Sequence, residues 1–240
     1  MEDEKIIDDI KKFGWSIILI EATEYLPSFG YTVGLWGNFG HPELISFGFT
    51  TETLHSILNI GGELVKEGRH LEVNKDYDDF FENVTAQFVH VDGNNLRDYF
   101  GYAIWFYGTT DFQALQLVWN DRDNKYPWEK DFEKEFIYRQ PLLDRNADFK
   151  FREEKKLAVF TTRQWLKGDK PIVRVVHEDD GSWQFLTGNQ LPEDIRIVAL
   201  EEIALNDPTV NEVFNLDYGK AADRECVGGK WIRSNVTDQE

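Results

Sequence analysis

The stretch FGYTVGLWGNFGHPELISFGF, residues 29–49, contains two apolar runs separated by a glycine-rich turn. Residues 31–35 and 43–49 have the β-branched and aromatic content of short strands, and residues 37–42 supply the turn. The preceding run, residues 15–20, has the same character. Three short strands in succession predict a mostly antiparallel sheet near the start of the chain.

Two amphipathic patterns next to these strands predict helices. Residues 3–13 place isoleucines at helical spacing, with acidic residues early and lysines late, as the helix dipole favours. Thr51–Lys66 has the clearest apolar helical face. The pair Gly61-Gly62 costs about 1 kcal/mol per residue relative to alanine inside a helix. We therefore expect a kink, an early helix end or the close approach of another backbone there.

Further along the chain, short periodic segments alternate with turn residues. The predicted strands are residues 84–91, 112–119, 157–160, 172–176, 183–186 and 195–199. Residues 96–107 are expected to form an aromatic-rich buried helix, and residues 200–206 a shorter one. Asp207-Pro208 is typical of a capped helix start.

The strongly polar segment DRNADFKFREEKK, residues 144–156, has no clear apolar period. We expect a linker there, between an α+β domain over residues 1–143 and a small α+β module over residues 157–240. The predicted fold class is α+β, with two small domains. Each should contain a mostly antiparallel sheet with a few packed helices.

Composition limits the classes of partner. The 240 residues carry a formal net charge of −18, which repels phosphate backbones and disfavours nucleic-acid binding. Such acidity suits a basic partner, or it is an ordinary solvated surface. Cys226 is the one cysteine, so no intrachain disulfide forms. The acidic start does not resemble a signal peptide, and no apolar run reaches the roughly 20 residues of a membrane span. We expect a soluble, cytoplasmic protein that does not bind membranes.

Sequence signatures of common chemistries are missing. The chain has no HExxH or CxxC zinc pattern, no GxGxxG or GxxxxGK[ST] nucleotide loop and no GxSxG elbow. The sequence therefore indicates no cofactor and no set of metal ligands. Binding is favoured over catalysis.

His41 and Glu43 form the first candidate site. In an extended segment, residues two apart share one face, so both could act as an acid/base pair or join a metal shell. Asp121, close to Asp123 in a turn, could add carboxylate oxygens for a hard cation. These residues support a metal-assisted hydrolase as one alternative. The competing interpretation is a pair of turns, in which His41 bonds to backbone and Glu43 faces water.

A pocket for a small ligand is the second candidate. Aromatic residues are dense over residues 105–128, where Trp119 could line a pocket and Gln116 could supply a polar contact. Asn59 belongs to a polar stripe of the long predicted helix and could face the His41 loop. A small-ligand sensor is thus a further alternative. Core packing of the aromatics and a solvent-facing stripe explain the same pattern.

Several motifs of the first 135 residues follow the order of a known family. They are Gly14-Trp15, residues 29–49, Ile57-Leu-Asn59, Gly68, Tyr102-Ala103, Leu115-Gln-Leu-Val-Trp119, Asp121 and Pro127-Trp128. In these residues the chain resembles an uncharacterised bacterial family, domain of unknown function 4262. Asn120 departs from the pattern, because a proline often precedes the aspartate. The resemblance implies no established activity.

A second series of motifs lies between residues 159 and 233. It comprises Gly181-Ser-Trp183-Gln-Phe185-Leu-Thr-Gly188, Leu200-Glu-Glu-Ile203, Asp207-Pro208, Gly219, Ala222, Arg224-Glu225 and Gly228-Gly-Lys-Trp231. Here the chain resembles immunity family 33 of bacterial polymorphic toxin systems, domain of unknown function 2185. The loop between Gly188 and Ile195 is shorter than the acidic insertion usual in that family.

This second resemblance implies a small module that binds another protein. A basic protein such as a toxin would be steered to an acidic inhibitor. The contact surface is expected to combine acidic and exposed aromatic residues, namely Glu178, Asp179, Asp180, Trp183 and Trp231. The first hypothesis is therefore a bacterial binding protein with an immunity or toxin-neutralising role. The oligomeric state is left open.

Overall fold

In the computed structural model, which describes residues 2–236, the stretch 29–49 builds two neighbouring strands of a five-stranded sheet. The strands are β1 (Ser16–Ile20), β2 (Phe29–Val33), β3 (Glu43–Phe47), β4 (Ala86–His90) and β5 (Ala114–Trp119). They lie in the order β1-β2-β3-β5-β4. Neighbouring strands are antiparallel except β3 and β5, which are parallel.

Helices cover both faces of this sheet. They are α1 (Glu2–Phe13), α2 (Leu35–Phe39), α3 (Thr51–Lys66), α4 (Leu96–Tyr99), α5 (Gly101–Tyr107) and α6 (Lys134–Ile137). Successive side chains of a strand point to opposite faces. Ile45 of β3 accordingly packs in a cluster with residues of α1, α4 and α5, and its neighbour Leu44 packs in a cluster with residues of α3.

Part of the predicted turn over residues 37–42 is a short helix. Leu35–Phe39 form α2, and Gly40 ends it with a φ of 63°. The backbone N–H groups of Gly34 and Trp36, at the start of α2, donate to the carboxylate of Glu43. Because helix starts leave backbone donors without internal partners, this distant acceptor allows the extra helix.

The helix predicted over Thr51–Lys66 is confirmed as α3. The chain stays helical through Gly61 and Gly62, so the expected early end does not occur. A Cβ added at Gly61 would lie 2.5 Å from Leu44, and one at Gly62 would lie 2.3 Å from the ring of Trp15. The glycines therefore make room for the side chains of Leu44 in β3 and of Trp15 just before β1, and not for another backbone.

Residues 96–107, predicted as one helix, form two. Phe100 separates α4 from α5 with φ −112° and ψ 39°. Its ring is fully buried beside Tyr31, with 5.0 Å between the ring centroids. Burial of this ring in the sheet core accompanies the break in the helix.

The second unit consists of Glu24–Leu26 and the described residues from Asp148 onward. Its strands are β6 (Ala158–Thr162), β7 (Arg174–His177), β8 (Trp183–Leu186), β9 (Ile195–Ala199), β10 (Lys220–Asp223) and β11 (Ile232–Asn235). Helices α7 (Arg163–Leu166) and α8 (Leu200–Asn206) accompany a 3₁₀ segment, Pro208–Val213. The two last strands have no counterpart among the predicted elements.

The second sheet has the order β11-β10-β7-β8-β6-β9. Its neighbours are antiparallel except β6 and β8. Each unit is thus α+β with a mostly antiparallel sheet, which confirms the predicted fold class. The division of the chain falls after Ala147, inside the polar segment 144–156. Among the described residues, no helix has the length and apolar character to cross a membrane.

Candidate functional site

Glu43 begins β3, and its side chain is fully buried. Its Oε1 accepts hydrogen bonds from the backbone N–H of Gly34 at 2.9 Å and of Trp36 at 3.0 Å. The hydroxyl of Tyr107 donates to the same oxygen at 2.5 Å, and the hydroxyl of Thr32 donates to Oε2 at 2.6 Å. The interpretation in which Glu43 faces water is wrong, because these four donors replace the water that burial removes.

The environment of Glu43 shifts the pKa of its own carboxyl group and that of the Tyr107 hydroxyl. Burial raises the pKa of Glu43, and hydrogen bonds from Thr32, Tyr107 and the backbone offset only part of that rise. Burial also raises the pKa of Tyr107, and the nearby charge of Glu43 adds to it. Both oxygens of the carboxylate are committed to donors of the same unit. Glu43 therefore links α2, β2 and α5 and leaves little capacity for a substrate.

His41 is buried just before β3, with both ring nitrogens engaged. Nδ1 lies 2.8 Å from the carbonyl oxygen of Pro42, and Nε2 accepts from the backbone N–H of Leu71 at 3.2 Å. These partners place the imidazole proton on Nδ1. Burial lowers the pKa of His41 by more than the Pro42 hydrogen bond raises it. His41 thus bonds to backbone and shares no hydrogen-bond partner with Glu43.

Asn59 lies on α3 and joins the helix to the sheet. Its Oδ1 accepts from the indole N–H of Trp15 at 3.3 Å, and its Nδ2 lies 3.1 Å from Nδ1 of His55. None of its hydrogen bonds involves His41. The polar atoms of Asn59 therefore bond to Trp15 and His55.

Gln116 and Trp119 are buried in β5. The amide of Gln116 donates to the Pro141 carbonyl at 2.9 Å and accepts from the Leu143 N–H at 3.0 Å. The indole of Trp119 donates to the Phe47 carbonyl at 2.9 Å. Both side chains use their polar groups to hold backbone segments of their own unit.

Asp121 follows β5 and organises the next turn. Its Oδ1 accepts from the backbone N–H groups of Asp123 and Lys125, each at 2.9 Å, and its Oδ2 accepts from the backbone N–H of Glu133 at 2.9 Å. Burial raises the pKa of Asp121, but these backbone hydrogen bonds lower it by more. The carboxylate stays ionised to hold the loop.

The three residues of the hydrolase hypothesis are not joined by hydrogen bonds. His41, Glu43 and Asp121 each bond to different neighbours. In the part of the chain that the structure describes, no group of three or more histidine, cysteine, aspartate or glutamate side chains could hold a metal ion.

In the second unit, Glu178, Asp179 and Asp180 form the tight turn between β7 and β8. The N–H of Glu178 donates to the Ser182 carbonyl at 2.9 Å, and Gly181 adopts a φ of 84°. The carboxylate of Asp180 accepts from the Ser182 N–H at 2.9 Å. These bonds fix the backbone of the turn.

The three acids of this turn differ in exposure. Asp179 and Asp180 are exposed, and Glu178 is half-buried. Glu178 accepts a hydrogen bond from the Gln184 side chain at 2.5 Å. Hydrogen bonds from Ser182 hold the pKa of Asp180 below its usual range. The turn therefore presents two exposed acidic residues, Asp179 and Asp180.

The prediction that Trp183 is an exposed contact residue is wrong, because its side chain is fully buried. The indole stacks on His177 with 3.9 Å between ring centroids, and its N–H donates to Glu153 at 3.2 Å. Tyr25 packs against both rings. Trp183 therefore belongs to the core of the second unit and cannot form part of a contact surface.

Trp231 is half-buried. The guanidinium of Arg224 lies 4.3 Å from the centre of its ring, and its indole N–H reaches the Thr209 carbonyl at 3.4 Å. Arg224 in turn forms a buried ion pair with Asp207. Trp231 thus covers a buried ion pair and exposes only part of its ring.

Sequence reasoning missed the partners of these groups. Tyr107, which donates to Glu43, lies 64 positions away and has no local signature. Tyr218 and Gly219 lie beside the acidic turn, because a Cβ added at Gly181 would lie 3.7 Å from the Tyr218 ring and one added at Gly219 would lie 2.5 Å from Asp179. The glycine in the C-terminal motif series was the available signal for this close approach.

The comparison with protein-family models agrees with the N-terminal motifs. The model Domain of unknown function (DUF4262) matches residues 9–133. The chain belongs to this family. No curated protein and no solved structure matches the chain. The matched residues include Glu24–Leu26 of the second unit but end before Asp148, so the resemblance of the C-terminal residues to immunity family 33 stays a prediction.

Proposed function

We propose that this DUF4262 protein is a bacterial cytoplasmic binding protein that recognises a basic protein, such as a toxin, through the turn between β7 and β8. The observation that carries the proposal is the exposure of Asp179 and Asp180 on a turn with a fixed backbone. Neither carboxylate forms an ion pair with a lysine or arginine of the described residues. Both charges therefore remain available to a partner.

The neighbouring loop adds to this surface. Tyr218 is half-buried beside the turn, where a Cβ added at Gly181 would lie 3.7 Å from its ring. A tyrosine ring next to carboxylates can pack against the aliphatic part of an arginine or lysine while the acids pair with its charge. The combination suits a basic side chain of a partner.

Long-range electrostatics favour the same class of partner. A net charge of −18 attracts a basic protein and accelerates its association at low salt. The motifs that resemble immunity family 33 lead to the same expectation. A single cysteine suits the reducing cytoplasm.

The catalytic and sensor alternatives have weaker support. The polar atoms of His41, Glu43 and Asp121 bond to groups of their own unit. Trp119 and Gln116 are buried and do the same. Groups committed in this way are poor candidates for a general base or a ligand pocket.

The test compares tagged wild-type protein with the double variant Asp179→Asn/Asp180→Asn. A partner is captured from the source bacterium and identified, and its affinity is then measured by calorimetry with purified proteins. We expect a basic partner whose affinity falls about tenfold in the double variant and also falls with added salt. The matched control is Glu212→Gln/Glu225→Gln, which removes two exposed charges elsewhere on the second unit. Equal affinities in all three proteins, or a partner that is not basic, would refute the proposal.

A further inference from the structure

A polar cleft lies in the first unit, at one end of its sheet. Its volume is about 500 Å³. Its lining residues are Asp78, Phe81, Asn83, Val84, Thr85, Asn120 and Asn124, of which Asp78, Asn83 and Asn124 are exposed. None of these residues belongs to the sites considered above.

Strand pairing explains why two distant segments meet there. In the antiparallel pair of β4 and β5, Ala86 lies opposite Trp119. The residues next to this pair, Thr85 and Asn120, therefore lie at the same end of the sheet. The hydroxyl of Thr85 lies 2.9 Å from that of Tyr126, which anchors one wall of the cleft.

The asparagine side chains of the cleft differ from the glutamine side chains near this end of the sheet in their hydrogen bonds. Gln116 and Gln140 each use both the oxygen and the nitrogen on backbone groups. The side chains of Asn83, Asn120 and Asn124 form no hydrogen bond with any described residue. Each free amide offers a carbonyl acceptor and two N–H donors. The cleft thus gathers donors and acceptors that the fold does not use.

A second cleft continues the first. It has a volume of about 630 Å³ and shares Asp78, Phe81 and Asn83. Asp79 and Glu82 also line it. Arg69 binds the carboxylate of Asp79 with two hydrogen bonds, at 2.7 and 3.1 Å, so part of the negative charge is compensated. The remaining carboxylates repel phosphates and other anions.

The ring of Phe81 provides a non-polar surface among the polar residues of the two clefts. Phe81 is half-buried and lies against Phe49, with 5.6 Å between ring centroids. Its position is therefore held by the core, while it lines both clefts. Hydroxyl groups of a ligand would match the amides, a C–H surface would match the ring, and the carboxylates disfavour a negative charge.

We propose that this continuous depression binds a sugar. Sugar hydroxyls both donate and accept hydrogen bonds, which matches the free amides of Asn83, Asn120 and Asn124. The C–H face of a pyranose packs on an aromatic ring such as Phe81. The carboxylate of Asp78 accepts from a hydroxyl, or from the ammonium group of an amino sugar.

The test is saturation-transfer-difference NMR on the full chain, with neutral methyl glycosides and glucosamine as probes. We expect signals from at least one probe at millimolar concentration, the range of weak sugar affinities. The variant Asn120→Ala should lose at least half of the signal. Asn124→Gly should do the same, since glycine keeps the left-handed backbone of that position, where φ is 59°.

Two control variants separate the site from general effects. Asn74→Gly replaces an exposed asparagine with a φ of 57° outside the cleft, and Asn189→Ala replaces an exposed one in the second unit. Both should bind as the wild type does. A stronger signal from glucosamine than from the neutral glycosides, weakened by added salt, identifies an amino sugar as the preferred ligand. No signal from any probe, or equal losses in site and control variants, overturns the proposal.

Discussion

The phenol oxygen of Tyr107 lies 2.5 Å from Oε1 of Glu43, deep between α5 and the start of β3. The same phenol oxygen accepts from the backbone N–H groups of Gly34 at 3.0 Å and Gly37 at 3.3 Å. One buried carboxylate and one phenol therefore hold the helix α2 to two other elements. This arrangement makes Glu43 a structural residue whose removal leaves several buried donors unpaired.

Replacing Glu43 with alanine should lower the free energy of unfolding by about 3–5 kcal/mol, because unpaired buried donors are costly. Tyr107→Phe should cost less, about 1–2 kcal/mol, because it removes only the hydroxyl. Urea denaturation measures both. The exposed Glu21→Gln is the control and should leave stability unchanged. Stability of Glu43→Ala equal to that of the control would show that the hydrogen-bond network contributes little.

The substitution Gly62→Ala should destabilise the protein although alanine favours a helix. The helix gains about 1 kcal/mol from alanine. The added Cβ, however, would lie 2.3 Å from the Trp15 ring, and overpacking of this kind costs about 1–3 kcal/mol. In α5, Gly101→Ala has no atom within 4 Å of the new Cβ and should be neutral or stabilising. Thermal unfolding of the two variants checks the contrast. A higher melting temperature for Gly62→Ala would contradict it.

In the second unit, Asp207→Ala should cost about 3–5 kcal/mol, because it leaves the fully buried guanidinium of Arg224 without its ion-pair partner. Asp223→Ala breaks an ion pair with Arg174 that is partly exposed, at 2.9 Å, and should cost about 1 kcal/mol or less. Guanidinium denaturation of both variants tests the difference. Similar costs would mean that burial does not set the strength of these pairs.

The contribution of His177 to stability should fall as the pH is lowered from 7.5 to 5.5. Burial lowers the pKa of His177 below its ordinary 6.5, and the hydrogen bond to the Leu216 carbonyl offsets only part of this. Below pH 6.5 the unfolded chain binds a proton that the folded state resists, so acid favours unfolding.

The variant His177→Phe keeps a ring against Trp183 and removes the titrating group. It should therefore lose less stability than the wild type over the same pH range, as measured by urea midpoints. His41, whose pKa is also lowered by burial, should contribute in the same direction as His177. An unchanged pH dependence in His177→Phe would rule out its contribution.

Local sequence patterns were sufficient to predict the helices and strands that are stabilised by interactions between nearby residues. The helix Thr51–Lys66, the strand Trp183–Leu186 and the helix Leu200–Asn206 have the predicted ends. Each depends on side-chain period, capping and turn residues that lie within a few positions. The α2 helix was not predictable in this way, because its backbone donors depend on Glu43, several residues later.

The candidate functional residues likewise separate what the sequence predicts from what only the structure shows. Pattern alone put His41, Glu43, Gln116 and Asp121 forward for chemistry, since polar side chains among apolar residues look alike whether they serve a ligand or the fold. Their hydrogen-bond partners come from other segments, as with Gln116 and the Leu143 backbone. Only those partners distinguish a committed side chain from a free one, such as that of Asn120.

By itself, the sequence determined the α+β class, the acidic character, the family of the N-terminal residues and most helices and strands, because periodicity and composition are local properties. The tertiary structure decided that Glu43 and Trp183 are buried, that Glu24–Leu26 belong with the second unit and that Asp78 and Asn120 line one cleft. These facts follow from contacts between residues far apart along the chain, whose free energy depends on the packing of the whole unit.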